Sequence, residues 1–249
     1  MILKKIYITI KEASLDEMLN SIFLAKSSFT NRLEIRLDSI SEISTASYKE
    51  IKNIIQDIIN AVLKDIPNRN LEDCLQEKSI ILTCRKKEHG GFFKGDNQKY
   101  KEIIEIISEL ISERKDNFFV DIDYYDFDIL QNCSKLYNCI ISYHNFFNCG
   151  TEIFDIINNM RSSSAKLYKI ASYVETNNDL GNFLFLPKLL GDDVNKTILI
   201  AMGDRAKILR LAMPILGTAI TFCSLYNEVA APGQISYALA KEIFEKIYH

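Results

Sequence analysis

Tryptophan is absent from the 249 residues, and only 4 prolines and 9 glycines are present. No stretch rich in Pro, Gly or Ser breaks the chain, so nothing marks a linker between two domains. The six cysteines (Cys74, Cys84, Cys133, Cys139, Cys149 and Cys223) form no C-x-x-C pair, which excludes the usual zinc and redox spacings and gives no disulfide framework. Several lie in apolar segments, where a free thiol behaves as a small hydrophobe. The opening MILKKIYITI is too short in apolar length for a signal segment, and no run is long enough for a transmembrane span. With a formal net charge of -3 and both signs interspersed, the chain lacks the basic stripe of a nucleic-acid binder. These absences predict a cytoplasmic, globular protein with no membrane or nucleic-acid partner.

What is present is an alternation. Short β-rich apolar runs fall at Ile6 to Ile10, Leu33 to Leu37, Ile80 to Cys84, Phe118 to Ile122, Cys139 to Tyr143, Lys166 to Ala171, Thr197 to Met202 and Ala219 to Phe222. Between them lie helical periodicities, such as Ile51, Ile54, Ile55, Ile58, Ile59 and Val62, or Ile103, Ile104, Ile107, Leu110 and Ile111. Ala238, Ala240, Ile243 and Phe244 close the chain in the same way. Eight strand candidates alternating with helices predict parallel βαβ units. At this length the closed (β/α)8 TIM barrel is favoured over an open sheet, as a single domain over residues 1–249. Two long loops are expected, Lys86 to Asn97 and Asn227 to Gln234.

Chemistry in such a fold gathers at the C-terminal strand ends. The second run reads Leu33-Glu34-Ile35-Arg36-Leu37-Asp38, and its alternation sets three charged side chains on one face. Burying them demands pairing or a ligand; an exposed edge strand is the bland alternative. The later runs end Thr83-Cys84-Arg85, Asp121-Ile122-Asp123 and Ser142-Tyr143-His144-Asn145, and the sixth carries Lys169. A lysine near Arg36 and Arg85 is expected to lose affinity for its proton and attack a carbonyl as the neutral amine. The arginine forks suit an anionic, hydroxyl-rich substrate, and His144 suits proton transfer near neutral pH.

In the order and spacing of these motifs the chain resembles the type I 3-dehydroquinate dehydratases over nearly its whole length. The motifs are Glu34-Ile-Arg36-Leu-Asp38, Thr83-Cys-Arg85 followed by Gly90-Gly91, Asp121-Ile-Asp123, Ser142-Tyr-His144-Asn-Phe, Lys169-Ile-Ala171, Met202-Gly203, Arg210-Leu-Ala212 and Ala231-Pro-Gly-Gln-Ile-Ser236. The resemblance implies a homodimeric TIM barrel that converts 3-dehydroquinate to 3-dehydroshikimate, the third step of the shikimate pathway, without metal or cofactor. It implies Lys169 as Schiff-base lysine and His144 as general acid/base. Glu34, Arg36 and Arg85 are then expected to hold ring hydroxyls and orient the site. Arg210 and Gln234 match ligands of the substrate carboxylate and its neighbours, with Gln234 on a closing loop. Thr9 matches a position, often Ser, placed near the ligand, and Phe222 a pocket-wall aromatic that simple packing explains equally well.

Three positions depart from the pattern. The fourth residue after Arg85, often Glu in relatives, is His89, with Glu88 beside it as a substitute if the loop shifts by one. Ala230 stands where several members carry a ligand-binding Ser, and Asp123 where Glu is common. Two other readings compete. A class I aldolase or transaldolase-like lyase would also use a lysine on the sixth strand, but the single glycine of Ala231-Pro-Gly-Gln supplies no phosphate loop. A catalytically silent barrel used as a scaffold would have no need of both Lys169 and His144.

Overall fold

A computed structural model describes residues 2–65, 78–112, 117–127, 138–226 and 231–248. Strands and helices alternate as expected: β1 (Ile6–Ile10), α1 (Leu15–Ser28), β2 (Arg32–Arg36), α2 (Tyr48–Leu63), β3 (Ser79–Thr83), α3 (Asn97–Ile111), β4 (Phe118–Asp123), β5 (Cys139–Asn145), α4 (Glu152–Arg161), β6 (Leu167–Tyr173), α5 (Asn177–Leu190), β7 (Thr197–Met202), α6 (Leu209–Ile215), β8 (Thr221–Ser224) and α7 (Tyr237–Tyr248). The sheet order is β7-β6-β5-β4-β3-β2-β1-β8, with chain neighbours as sheet neighbours and β8 beside β1. Each described ladder is parallel. This is the (β/α)8 connectivity.

By internal contacts the chain divides into two compact units. One comprises Met1–Tyr7, Asp123–Tyr125 and Cys139–His249, the other Ile8–Ile122 and Asp126–Asn138.

Capping residues fix where the helices begin. Ser14 accepts from the Glu17 amide, and Asp96 from the Lys99 amide. Ser47 with Glu50, and Thr176 with Asp179, form reciprocal capping boxes on α2 and α5. The isoleucine stripes then turn inward: Ile51, Ile55, Ile58, Ile59 and Val62 on α2, and Ile103, Ile104, Ile106, Ile107 and Ile111 on α3 are buried. Each such side chain contributes about 1.5–3 kcal/mol on burial. Lys26 of α1 is buried too, and its ammonium donates to the carbonyls of Ala61 and Lys64 at the C-terminal end of α2. A cation there satisfies orphan carbonyls and meets the negative end of the helix dipole.

Two expectations change in detail. The eighth strand starts at Thr221, two residues later than Ala219, whose amide donates to the Thr197 carbonyl at 2.8 Å ahead of the strand. The segment from Lys86 to Asn97 is not a plain loop. It contains a 3-10 turn at Lys87–His89 and a bridge between Lys86 and Phe93, and α3 begins at Asn97.

Candidate active site

In the unit that holds β5, β6 and β8, parallel register decides which side chains share a face. Ser142 on β5 is the partner of Lys169 on β6, and His144 the partner of Ala171. Side chains two apart on a strand point the same way, so His144 and Lys169 project from one face of adjacent strands. They are offset by one pleat, about 7 Å of strand rise. Lys169 is only 6% exposed. Its ammonium lies 4.5 Å from the centroid of the Phe222 ring on β8, which walls off one side of the amine. Phe222 thus meets the lysine directly, beyond filling core volume. The Phe146 ring stacks on the His144 imidazole, with ring centroids 6.2 Å apart. Asp123, at the end of β4, brings Oδ2 within 3.9 Å of His144 Nδ1.

The unit that holds Ile8–Ile122 carries the charged residues of the second and third runs and Asp121 of the fourth. All five residues of β2 are buried, so the exposed-edge alternative is excluded. Thr9 on β1 donates to Glu34 Oε2 at 2.7 Å, and Thr83 on β3 donates to Oε1 at 3.3 Å. The flanking strands therefore hold both carboxylate oxygens. β2 stops at Arg36, where a 3-10 turn at Leu37–Ser39 folds Asp38 back onto the guanidinium. Arg36 Nε donates to Asp38 Oδ1 at 2.9 Å and Nη2 to Oδ2 at 2.7 Å, a bidentate pair. Burial works against the Arg36 charge, but Asp38, with Glu34 and Asp121, outweighs it and raises the guanidinium above its ordinary value. Arg85 pairs with Asp121 through Nη2, which donates to Oδ1 at 2.9 Å. Arg36 and Arg85 are each matched by a buried carboxylate of their own, Asp38 and Asp121.

Gly91 explains how the Arg85 segment is held. A Cβ at this position would lie 2.0 Å from the Arg85 carbonyl oxygen, so only glycine allows the chain to return so closely. The Gly91 amide then donates to Lys86 O, and the Phe93 amide to Arg85 O.

Arg210, on α6, is 1% exposed, and its Nη2 donates to the carbonyl of Pro232 at 2.6 Å. Gly233, at φ 73°, packs against the Gly203 carbonyl, where a Cβ would meet the oxygen at 2.6 Å. The turn ends with Gln234, buried, its amide donating to Ala231 O at 3.1 Å. Arg210 and Gln234 are therefore brought to one segment, Ala231 to Gln234. The rest of the expected loop, 227–230 with Ala230, lies outside the described residues.

The model of the type I 3-dehydroquinase family matches residues 6–249. The chain belongs to that family, whose members are hydro-lyases. A 3-dehydroquinate dehydratase of Coxiella burnetii strain CbuK_Q154 is 27% identical over 248 residues, 98% of this chain and 94% of that protein. One from Streptococcus pneumoniae strain CGSP14 is 28% identical over 172 residues, 68% of this chain and 74% of that one. Among solved structures, the type I 3-dehydroquinate dehydratase of Clostridium difficile, with covalently modified comenic acid, matches at TM-score 0.77 and 21% identity, covering 98% of this chain and 92% of that one. The Aquifex aeolicus 3-dehydroquinate dehydratase matches at TM-score 0.68 and 25% identity, covering 98% and 99%. The shared fold is the (β/α)8 barrel.

Within the type I 3-dehydroquinase family pattern, the departures take definite places. His89 turns its Nδ1 to within 3.8 Å of Asp126 Oδ2, and Glu88 is exposed to solvent, so it is not a buried substitute. Asp126 also accepts from Lys86 at 2.5 Å, and Lys86 reaches Asn97 at 2.7 Å. Sequence reasoning did not single out Asp126, and no local motif signals it. Four cysteines, Cys84, Cys139, Cys149 and Cys223, are buried free thiols, while Cys74 and Cys133 lie outside the described residues. Burial pushes the Cys149 and Cys223 thiols up to about 12, which makes them poor nucleophiles. Among the described residues no helix is long and apolar enough to cross a membrane, and no His, Cys, Asp and Glu group is placed to hold a metal.

Proposed function

We propose that this chain dehydrates 3-dehydroquinate to 3-dehydroshikimate through a Schiff base on Lys169, the third step of the shikimate pathway. The observation that carries this reading is the register of β5 on β6, which sets His144 and Lys169 on one face, with the amine against Phe222. The Lys169 amine adds to the C3 carbonyl, and the carbinolamine loses water to give an iminium. His144 removes a proton at C2, and the iminium takes the electron pair as an enamine. The enamine then expels the C1 hydroxyl, which leaves as water with the proton carried by His144, an overall syn elimination. Hydrolysis of the iminium releases product and regenerates the amine.

In this reading Glu34, Arg36 and Arg85 hold the ring hydroxyls and orient the site, with Thr9 supporting Glu34. Arg210 and Gln234 take the substrate carboxylate and its neighbours. The paired arginines suit such a ligand because their planar forks are already held in place before binding. On this reading residues 1–249 are taken as a single catalytic domain in a cytoplasmic homodimer that uses neither metal nor cofactor.

The test is direct. Adding 3-dehydroquinate should produce conjugated-enone absorbance, and borohydride with ligand should leave one covalent adduct at Lys169. Lys169→Ala should fold normally and lose both. An adduct on Lys166 or Lys188, or no enone at all, would refute the reading.

A further inference from the structure

We infer that Asp123 is the positioning carboxylate of His144, an assignment that rests on the acid/base role proposed above. Asp123 ends β4 and is 5% exposed, while the His144 side chain is 9% exposed. The two oxygens of Asp123 have separate tasks. Oδ1 accepts the Tyr125 amide at 3.1 Å, which anchors the carboxylate in the turn that follows the strand. Oδ2 points to His144 Nδ1 at 3.9 Å, an ion-pair distance. Such contacts are often long in an unliganded site and shorten when the reacting complex forms.

A carboxylate facing Nδ1 favours the ring form that carries a proton there. Nε2 is then the nitrogen that exchanges protons with substrate. The Phe146 ring, stacked at 21° between planes, confines the imidazole from a second direction. The segment after Arg85 supplies no carboxylate at its fourth position, where His89 faces Asp126 instead. Asp123 lies on the strand directly before that of His144, so the backbone itself fixes the approach. The side chain neither touches nor protonates substrate in this assignment; it acts through the histidine.

The experiment uses the intact protein and compares wild type with Asp123→Asn and Asp123→Glu. Asp123→Asn should lower kcat about 10- to 100-fold, the usual effect of losing a carboxylate that orients a functional histidine. KM should stay within about twofold, and borohydride trapping at Lys169 should keep its wild-type yield, since iminium formation does not need the oriented ring. Asp123→Glu should recover part of kcat by restoring the charge. Unchanged kcat in Asp123→Asn would overturn the assignment. So would a joint fall of kcat, trapping and Tm that Asp123→Glu does not relieve. Should Asp123→Asn fail to fold, nitrogen-15 NMR of the wild-type histidines, assigned with His144→Ala, decides the matter: a protonated Nδ1 on His144 supports it, and a bare Nδ1 overturns it. Wild type that dehydrates nothing would sink the proposed reaction, while the NMR result would still judge the Asp123–His144 pair on its own.

Discussion

Arg210 and Pro232 are joined by a 2.6 Å hydrogen bond from a buried guanidinium to a backbone carbonyl, 22 residues along the chain. The arginine assigned to the substrate carboxylate is thus also a strut for the segment that carries Gln234. If Arg210 meets the substrate carboxylate as proposed, the same cation fixes the turn, and loop geometry is coupled to ligand affinity.

Arg210→Ala is therefore expected to raise KM more than Gln234→Ala does. A hydrogen bond to a charged group is worth about 1.5–3 kcal/mol, which corresponds to about 10- to 100-fold, whereas the neutral amide of Gln234 is worth about 0.5–1.5 kcal/mol. Arg210→Lys should recover little, because a point charge lacks the planar fork. Steady-state kinetics of the three variants checks this, and an unmoved KM in Arg210→Ala would dismiss the coupling.

His144→Ala should cut kcat by about 10²–10⁴-fold while leaving the borohydride adduct on Lys169. Iminium formation and proton transfer at carbon are separate steps, so single-turnover trapping and enone formation should part company. Near-normal turnover would make His144 a structural residue.

Gly91→Ala should disturb Arg85 without touching any charged group. The added Cβ would sit 2.0 Å from a backbone oxygen, so the turn has to move. A loss of about 1–3 kcal/mol is expected, at about 2–4 °C in Tm per kcal/mol for a chain of this size. Activity should fall alongside because the guanidinium leaves Asp121. Calorimetry with a matched activity assay tests both halves.

Stability should decline as pH rises above about 9. In the fold, burial holds the Cys223 thiol protonated to about 12, against a nearby Arg210 that pulls the other way. The unfolded thiol loses its proton from about 9, so between these values the native state binds more protons and unfolding is favoured as pH rises. The contribution is about 1.4 kcal/mol per pH unit for one such group. Denaturant melts from pH 8 to 11 should show a shallower decline for Cys223→Ala, and equal slopes would refute the account.

Much of the architecture is legible in local pattern. Ile6–Ile10 and Thr197–Met202 occupy the spans that their apolar runs predict, and the α2 isoleucines face inward as their spacing requires. These features depend on neighbours a few residues apart, which is the range over which side-chain periodicity and capping act. The motif residues are equally visible, because charges ending apolar runs stand out in any linear reading.

The sequence by itself determined the alternation of strand and helix, the family motifs, the presence of Lys169 in the sixth run, and of Arg36, Arg85 and His144 at or near the ends of theirs. Only the tertiary structure decided the partners: Asp38 for Arg36, Asp121 for Arg85, Thr9 and Thr83 for Glu34, the Pro232 carbonyl for Arg210, and Asp123 for His144. Glu34 is shared by threonines 25 and 49 residues away, and Arg85 meets a carboxylate 36 residues on. The distant pairings follow from strand register, which brings side chains of separate strands together, while the Leu37–Ser39 turn folds Asp38 back onto Arg36. A linear pattern records that a charge must be buried; the partner that makes its burial tolerable is set by the packed fold.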